Sequence, residues 1–124
     1  MMLGLIACAS PWVIDGDSIR CRNIGEVRLL GIDAPDFVRS APCRGHYGDH
    51  VCDDAGDRRA TKSLIAARRL RPWTVEPITR DRYGRTVAIV RAGGVNLSCW
   101  QLQRGVARYI VKYDTGGSIA RECR

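Results

Sequence analysis

The chain has 124 residues, and 20 basic side chains against 13 acidic ones give it a formal charge of +7. An apolar content of 45% with 27% charged residues is that of a folded globule and excludes a disordered tail, which would be too poor in apolar side chains to offset chain entropy. The longest apolar run, residues 1–9, is about half of the roughly 20 residues needed to cross a bilayer, so a membrane span is excluded and one soluble domain over residues 1–124 is expected.

In chain order, Leu3 to Ile14 reads as an opening strand. Leu5-Ile6-Ala7-Cys8 is similar to a lipobox and Ala7-Cys8-Ala9 to a signal cleavage site, but no basic segment precedes them; any export signal is expected to have been trimmed from this numbering. Asp15-Gly16, between Trp12-Val13-Ile14 and Asp17 to Cys21, is a strong hairpin signal. A third strand is expected over Val27 to Ile32, ended by Asp33-Ala34-Pro35-Asp36 because proline cannot continue a ladder. Residues 37–54 read as a loop, after which Asp54 or Asp57 is expected to cap a helix running to about Leu70, with Leu64, Ile65 and Leu70 toward a core. Trp73 to Ile78 and Thr86 to Ala92 form a second strand pair across a polar turn in which Gly84 supports a tight reversal. Ser98-Cys99-Trp100-Gln101 has the spacing of a capping box that opens a short helix ended by Gly105, and Tyr109 to Tyr113 is extended or irregular. Three strands, a helix, two strands and a helix fit a mainly β, α+β fold: a five-stranded OB-type Greek-key barrel.

The basic excess is 18 Arg to 2 Lys, and the planar guanidinium fork matches phosphate oxygens two at a time. Polyanion binding is therefore the first functional hypothesis, against the alternative that arginine content only reflects a GC-rich genome. Six cysteines in a chain of this size suggest an oxidising, extracytoplasmic compartment, secreted or periplasmic. Of the 15 possible pairings, Cys43 with Cys52 is expected, since they bracket a short loop rich in Gly, His and Asp. Zinc held by Cys43, His46, His50 and Cys52 is the alternative, although that spacing matches no zinc module.

Four segments carry a resemblance. Asp15-Gly16-Asp17-Ser18, Arg28-Leu29-Leu30-Gly31-Ile32-Asp33-Ala34-Pro35-Asp36, Asp81-Arg82-Tyr83-Gly84-Arg85 and Gln103-Arg104-Gly105-Val106-Ala107 occur in the order found in the staphylococcal nuclease (thermonuclease) family, which the chain resembles over residues 12–113. The resemblance implies a nuclease of DNA and/or RNA with little sequence preference, giving 3′-phosphate ends; a protein partner is not implied. It implies Ca²⁺ held by Asp17, Asp33 and the carbonyl of Ala34, with Asp15 supporting, since a hard cation takes oxygen ligands. Arg28 and Arg85 would stabilise the anionic transition state, and Arg82, Tyr83 and Tyr113 would contact the nucleotide. Two departures stand out. Asp36 occupies the place of the family's general-base glutamate, one methylene shorter, so it works through a bridging water, works slowly, or leaves a non-catalytic nucleic-acid-binding module as the rival reading. The family's third helix is reduced to a stub after Gly116, a loss of burial that disulfides would offset.

Overall fold

The computed structural model describes residues 4–44 and 51–123. Its main sheet runs in the order β1 (Ile6–Ala7), β6 (Trp73–Arg80), β7 (Thr86–Ala92), β4 (Gly25–Leu29), β3 (Ser18–Cys21), β2 (Trp12–Asp15). Neighbours are antiparallel except β4 and β7, and the short β8 (Val95–Asn96) adds to β7. The opening strand expected over Leu3 to Ile14 is in fact two. Ser10 takes φ +48° and Pro11 has no N–H to give a ladder, so the chain bends there. Before the bend β1 lies on β6, and after it β2 lies on β3, so one segment touches both edges of the curled sheet. The Cys8–Cys21 disulfide ties the bend to the end of β3.

The third strand also stops early. Gly31 turns the chain with φ +76°, a conformation that costs other residues. Ile32–Asp33 then forms β5, which pairs with β9 (Arg108–Tyr109) in a separate ribbon. A Cβ on Gly31 would also press on Ile119. β6 runs through Pro77, where a register shift before Thr79 accommodates the missing donor.

A short α1 (Ala41–Arg44) lies in the loop, and α2 spans Asp54–Ala66 before a 3₁₀ turn to Arg69. Its cap is Asp53, one residue earlier than expected: Asp53 is extended and accepts from the amide of Ala55, while Asp54 and Asp57 sit in the first turn, where negative charge suits the helix dipole. Leu64 faces the core, but Ile65 is exposed. α3 (Leu97–Gln103) is likewise capped by Asn96, whose Oδ1 accepts from Ser98 and Cys99. The expected capping box fails because both its side chains are spent on tertiary partners. Ser98 Oγ donates to Leu30 O, 2.7 Å, and the buried Gln101 amide donates to Gly16 O, 2.7 Å, and Ala60 O, 2.8 Å. Ser63 Oγ donates in turn to Gln101 Oε1, 2.6 Å.

Inside the curled sheet, Ile19, Val27, Leu29, Val75 and Val90 pack with Leu64 and Leu97. A second cluster, Leu30, Val87, Ile89 and Ile119, lies under α4 (Ser118–Glu122). That helix has five residues and is tethered by Cys99–Cys123. Asp114 accepts from the amides of Ile119 and Ala120 and from the Tyr109 hydroxyl. Cys43 is joined to Cys52, which removes both thiols from the zinc alternative; His46 and His50 lie outside the described residues.

Gln101→Leu removes the donors to two buried carbonyls, each costing about 1–3 kcal/mol when orphaned. Urea unfolding should show a loss of roughly 2 kcal/mol or more; a loss below about 0.5 kcal/mol would reject the bridge. Burial pushes the Asp114 pKa up, but the amides of Ile119 and Ala120, Tyr109 and Arg121 outweigh it, so the folded value lies below the unfolded one. Its stabilisation is therefore present above the unfolded pKa of about 3.9 and disappears as pH falls through the lower folded value. Melts below about pH 4 should fall more steeply for the wild type than for Asp114→Asn.

Candidate active site

Alternation along β4 buries Val27 and Leu29 and turns Arg28 to the opposite face, between Ser18 of β3 and Val87 of β7. Its guanidinium lies 3.3 Å from Asp17 Oδ1 and 3.3 Å from Asp33 Oδ1, and donates to Ile32 O. Both carboxylates are 4% exposed. Asp17 comes from the turn between β2 and β3, where Asp15 Oδ1 accepts from the Asp17 amide, 3.1 Å, and from Ser18 Oγ, 2.7 Å. Ala34 donates its amide to Asp17 Oδ2 at 2.9 Å, so the turn and the end of β5 are joined directly. Gly16 must be glycine here, because a Cβ would collide with Ala60 of α2.

Burial pushes the Asp17 carboxyl well above the usual range, with Arg28 opposing and Asp15 adding to the rise. Burial pulls Arg28 down, but Asp17 and Asp33 more than offset it, while the field of Arg85 opposes its charge. The two arginines are thus close enough to feel one another. Arg85 leaves a turn built by Asp81, which accepts from the amides of Tyr83 and Arg85 and, at 2.7 Å, from Arg85 Nε. The Asp81 carboxyl is raised by burial and lowered further by these Arg85 contacts, ending below its ordinary value. Glu26 holds the other side of Arg85 at 3.0 Å.

The Tyr113 ring centroid is 5.8 Å from the Arg28 guanidinium, and the Tyr83 ring is 5.7 Å from that of Arg85 and 5.1 Å from that of Arg82. Tyr83 is 70% exposed. Asp15, Asp17, Arg28, Asp33, Ala34 and Tyr113 therefore gather around one guanidinium, and Arg82, Tyr83 and Arg85 form the adjoining turn. Asp36 lies beyond Pro35, where its amide donates to Val51 O and its carbonyl accepts from Asp53 N. A cleft of about 390 Å³ opens beside Asp15 between β2 and α2, with Phe37, Arg58 and Lys62 on its walls.

A model of staphylococcal nuclease homologues matches residues 26–122. The chain belongs to the staphylococcal nuclease family. It is 32% identical over 82% of its length to the SPbeta prophage-derived endonuclease YokF of Bacillus subtilis (strain 168), covering 33% of that protein. It is also 32% identical to endonuclease YncB of the same organism, over 82% of this chain and 46% of that one. To the thermonuclease of Staphylococcus intermedius it is 33% identical, over 77% of this chain and 55% of that one. The chain thus spans from a third to just over half of these relatives.

Among the described residues no group of three or more His, Cys, Asp or Glu side chains comes together as a metal site. The donor set still fits the divalent cation that the nuclease family implies. Asp17 and Asp33 are buried oxygen donors that share the guanidinium of Arg28, and burial, with Asp15 adding to it, raises the Asp17 carboxyl despite that partner. Sequence reasoning passed over Arg108, which pairs with Asp33 Oδ2 at 3.3 Å, and Glu26. Arg108 stands opposite Asp33 in the β5–β9 register, a long-range pairing with no local signal.

Arg28→Gln leaves two buried carboxylates without their shared partner, and breaking such a pair costs about 3 kcal/mol. Adding Asp17→Asn should return part of that loss in chemical denaturation; a double variant no more stable than Arg28→Gln would separate the charges.

Proposed function

We propose that the chain is a nuclease that hydrolyses phosphodiester bonds of DNA and/or RNA with little sequence preference, giving 3′-phosphate ends. The observation that supports this most is Arg28 bridging Asp17 and Asp33 with Arg85 within its field. Carboxylates for a cation and guanidinium groups for phosphate stand side by side in one family-specific order.

In this reading Asp17, Asp33 and the Ala34 carbonyl hold Ca²⁺, and Asp15 fixes the turn that presents Asp17. Bound there, the cation would act as a Lewis acid on a phosphoryl oxygen. Arg28 and Arg85 stabilise negative charge that grows as water attacks phosphorus in line and the 5′ oxygen leaves. Arg85 is held by Asp81 and Glu26 in an orientation set before substrate arrives. Tyr83, Tyr113 and Arg82 contact the nucleotide, with aromatic faces that accept any base. Asp36 takes the proton of the attacking water. The three disulfides fit an extracytoplasmic location.

A binding module without catalysis is the second reading, and the shorter Asp36 favours it. Cleavage of single-stranded and duplex DNA and RNA in Ca²⁺ and in chelator decides. Activity is expected in Ca²⁺, weakly in Mg²⁺, which sheds water reluctantly and demands a tighter octahedron, and not in chelator. Equal cleavage with and without metal would sink the proposed site. Arg28→Lys and Arg85→Lys should lower turnover by about two orders of magnitude or more, since an ammonium lacks the fork; near-normal rates in both would reduce the arginines to surface charge. Asp36→Ala should lose hydrolysis and keep salt-sensitive binding, whereas Asp36→Glu should turn over faster. A wild type that binds without cutting, beside an Asp36→Glu that cuts, would establish the binding module.

A further inference from the structure

Trp12 has no role in the site described above, yet its indole is 62% exposed, at the far end of β2 from the Asp17 turn. The other two tryptophans, Trp73 and Trp100, are buried. Trp12 borders a cleft of about 550 Å³ walled by Pro11, Pro72 and Trp73 and flanked by Arg68 and Arg71. The Arg68 guanidinium stands 6.0 Å from the Trp12 ring, and Arg20 lies directly opposite Trp12 on β3.

These arginines differ from those of the site. Arg28 and Arg85 are each held by two carboxylates, whereas Arg20, Arg68 and Arg71 make no ion pair among the described residues. An aromatic face ringed by unneutralised guanidinium groups is complementary to a single-stranded polyanion whose bases stack and whose phosphates need cations.

We propose that Trp12, with Arg20, Arg68 and Arg71, forms a second contact for single-stranded nucleic acid, outside the catalytic cluster. This rests on nucleic acid being the substrate. Three residues of strand, roughly 10 Å, separate Trp12 from Asp15, so a strand seated at Arg28 reaches Trp12 only after further nucleotides. The contact therefore favours long strands over short ones and holds the uncut portion of the chain while the scissile phosphate is positioned.

The test measures binding in chelator, with no cleavage, of a trinucleotide and a 20-nucleotide single strand to the full chain. Wild type should bind the longer strand more tightly, with a change in indole fluorescence that Trp12→Phe abolishes. Trp12→Ala should weaken the 20-mer by roughly 5- to 150-fold and leave its urea midpoint in place. Arg68→Gln and Arg71→Gln should each reduce the salt slope by about 0.7. Equal binding of the 20-mer by wild type and Trp12→Ala would overturn this surface and leave the nuclease reading standing. Binding of neither oligonucleotide by the wild type in chelator would overturn this surface, while the nuclease reading stands or falls on cleavage in Ca²⁺. Trp12-dependent binding to phosphatidylserine vesicles, with oligonucleotide affinity unaffected, would assign the surface to a membrane and overturn the proposal.

Discussion

Two carboxylates buried beside one guanidinium form the constraint on which the rest of the molecule depends. Removing Asp17 from water carries a desolvation cost that Arg28 only partly offsets. The arrangement is tolerable because Arg28 is central in the sheet, with β3 on one side and β7 on the other, and cannot swing away. Arg108 adds a second positive group at the rim through the β5–β9 pairing. The result is a pair of buried, ion-paired carboxylates inside a chain of net charge +7. In the proposed function the wider field would draw in a polyanion while the buried carboxylates would hold a cation.

Holding the two aspartates close requires the β2–β3 turn to stay in place against both β5 and α2: the Ala34 amide on Asp17 ties it to the end of β5, and one side chain ties it to α2. The Gln101 amide takes a carbonyl from the turn and another from α2, and Ser63 of α2 completes it from the other side. Asp36 is held by a different device. Its backbone is clamped between Val51 and Asp53, the cap of α2, next to the Cys43–Cys52 disulfide. That clamp fixes the Cα of Asp36, so in the proposed role as base a backbone shift that compensated for its shorter carboxylate would have to work against both the helix cap and the cross-link.

Much of this was legible in the sequence because it is local. The Asp15-Gly16 turn, the Asp81 to Arg85 turn and the two long strands follow from short-range turn chemistry and alternation. Those same turns deliver Asp17 and Arg85. What sequence reasoning misassigned was decided at a distance. Ser98 and Gln101 have capping-box spacing but lie on the buried face of α3, where Leu30, Gly16 and Ala60 present carbonyls that need donors, and Asn96 takes over the cap. Val27 to Ile32 is apolar enough for one strand. The break comes from Gly31, whose positive φ leaves room for Ile119 of a helix some 90 residues later. Arg108 could not be found because only the β5–β9 register makes it a neighbour of Asp33.

The arginine excess, uninformative as a count, separates into two populations once partners are visible. One group is neutralised inside the fold: Arg28 by Asp17 and Asp33, Arg85 by Asp81 and Glu26, Arg91 by Glu76 and Glu122. These ties fix direction, since a guanidinium shared between two carboxylates has little rotational freedom left to lose when it meets an anion. They also weaken its pull, because a phosphate must share the charge with carboxylates already in place. The other group, Arg20, Arg68 and Arg71 among them, makes no ion pair among the described residues. Such side chains attract a phosphate backbone without selecting a geometry. The proposed nuclease, which would both collect a flexible polyanion and orient one phosphorus atom, would have use for both kinds, and the positions of the carboxylates decide which arginine is which.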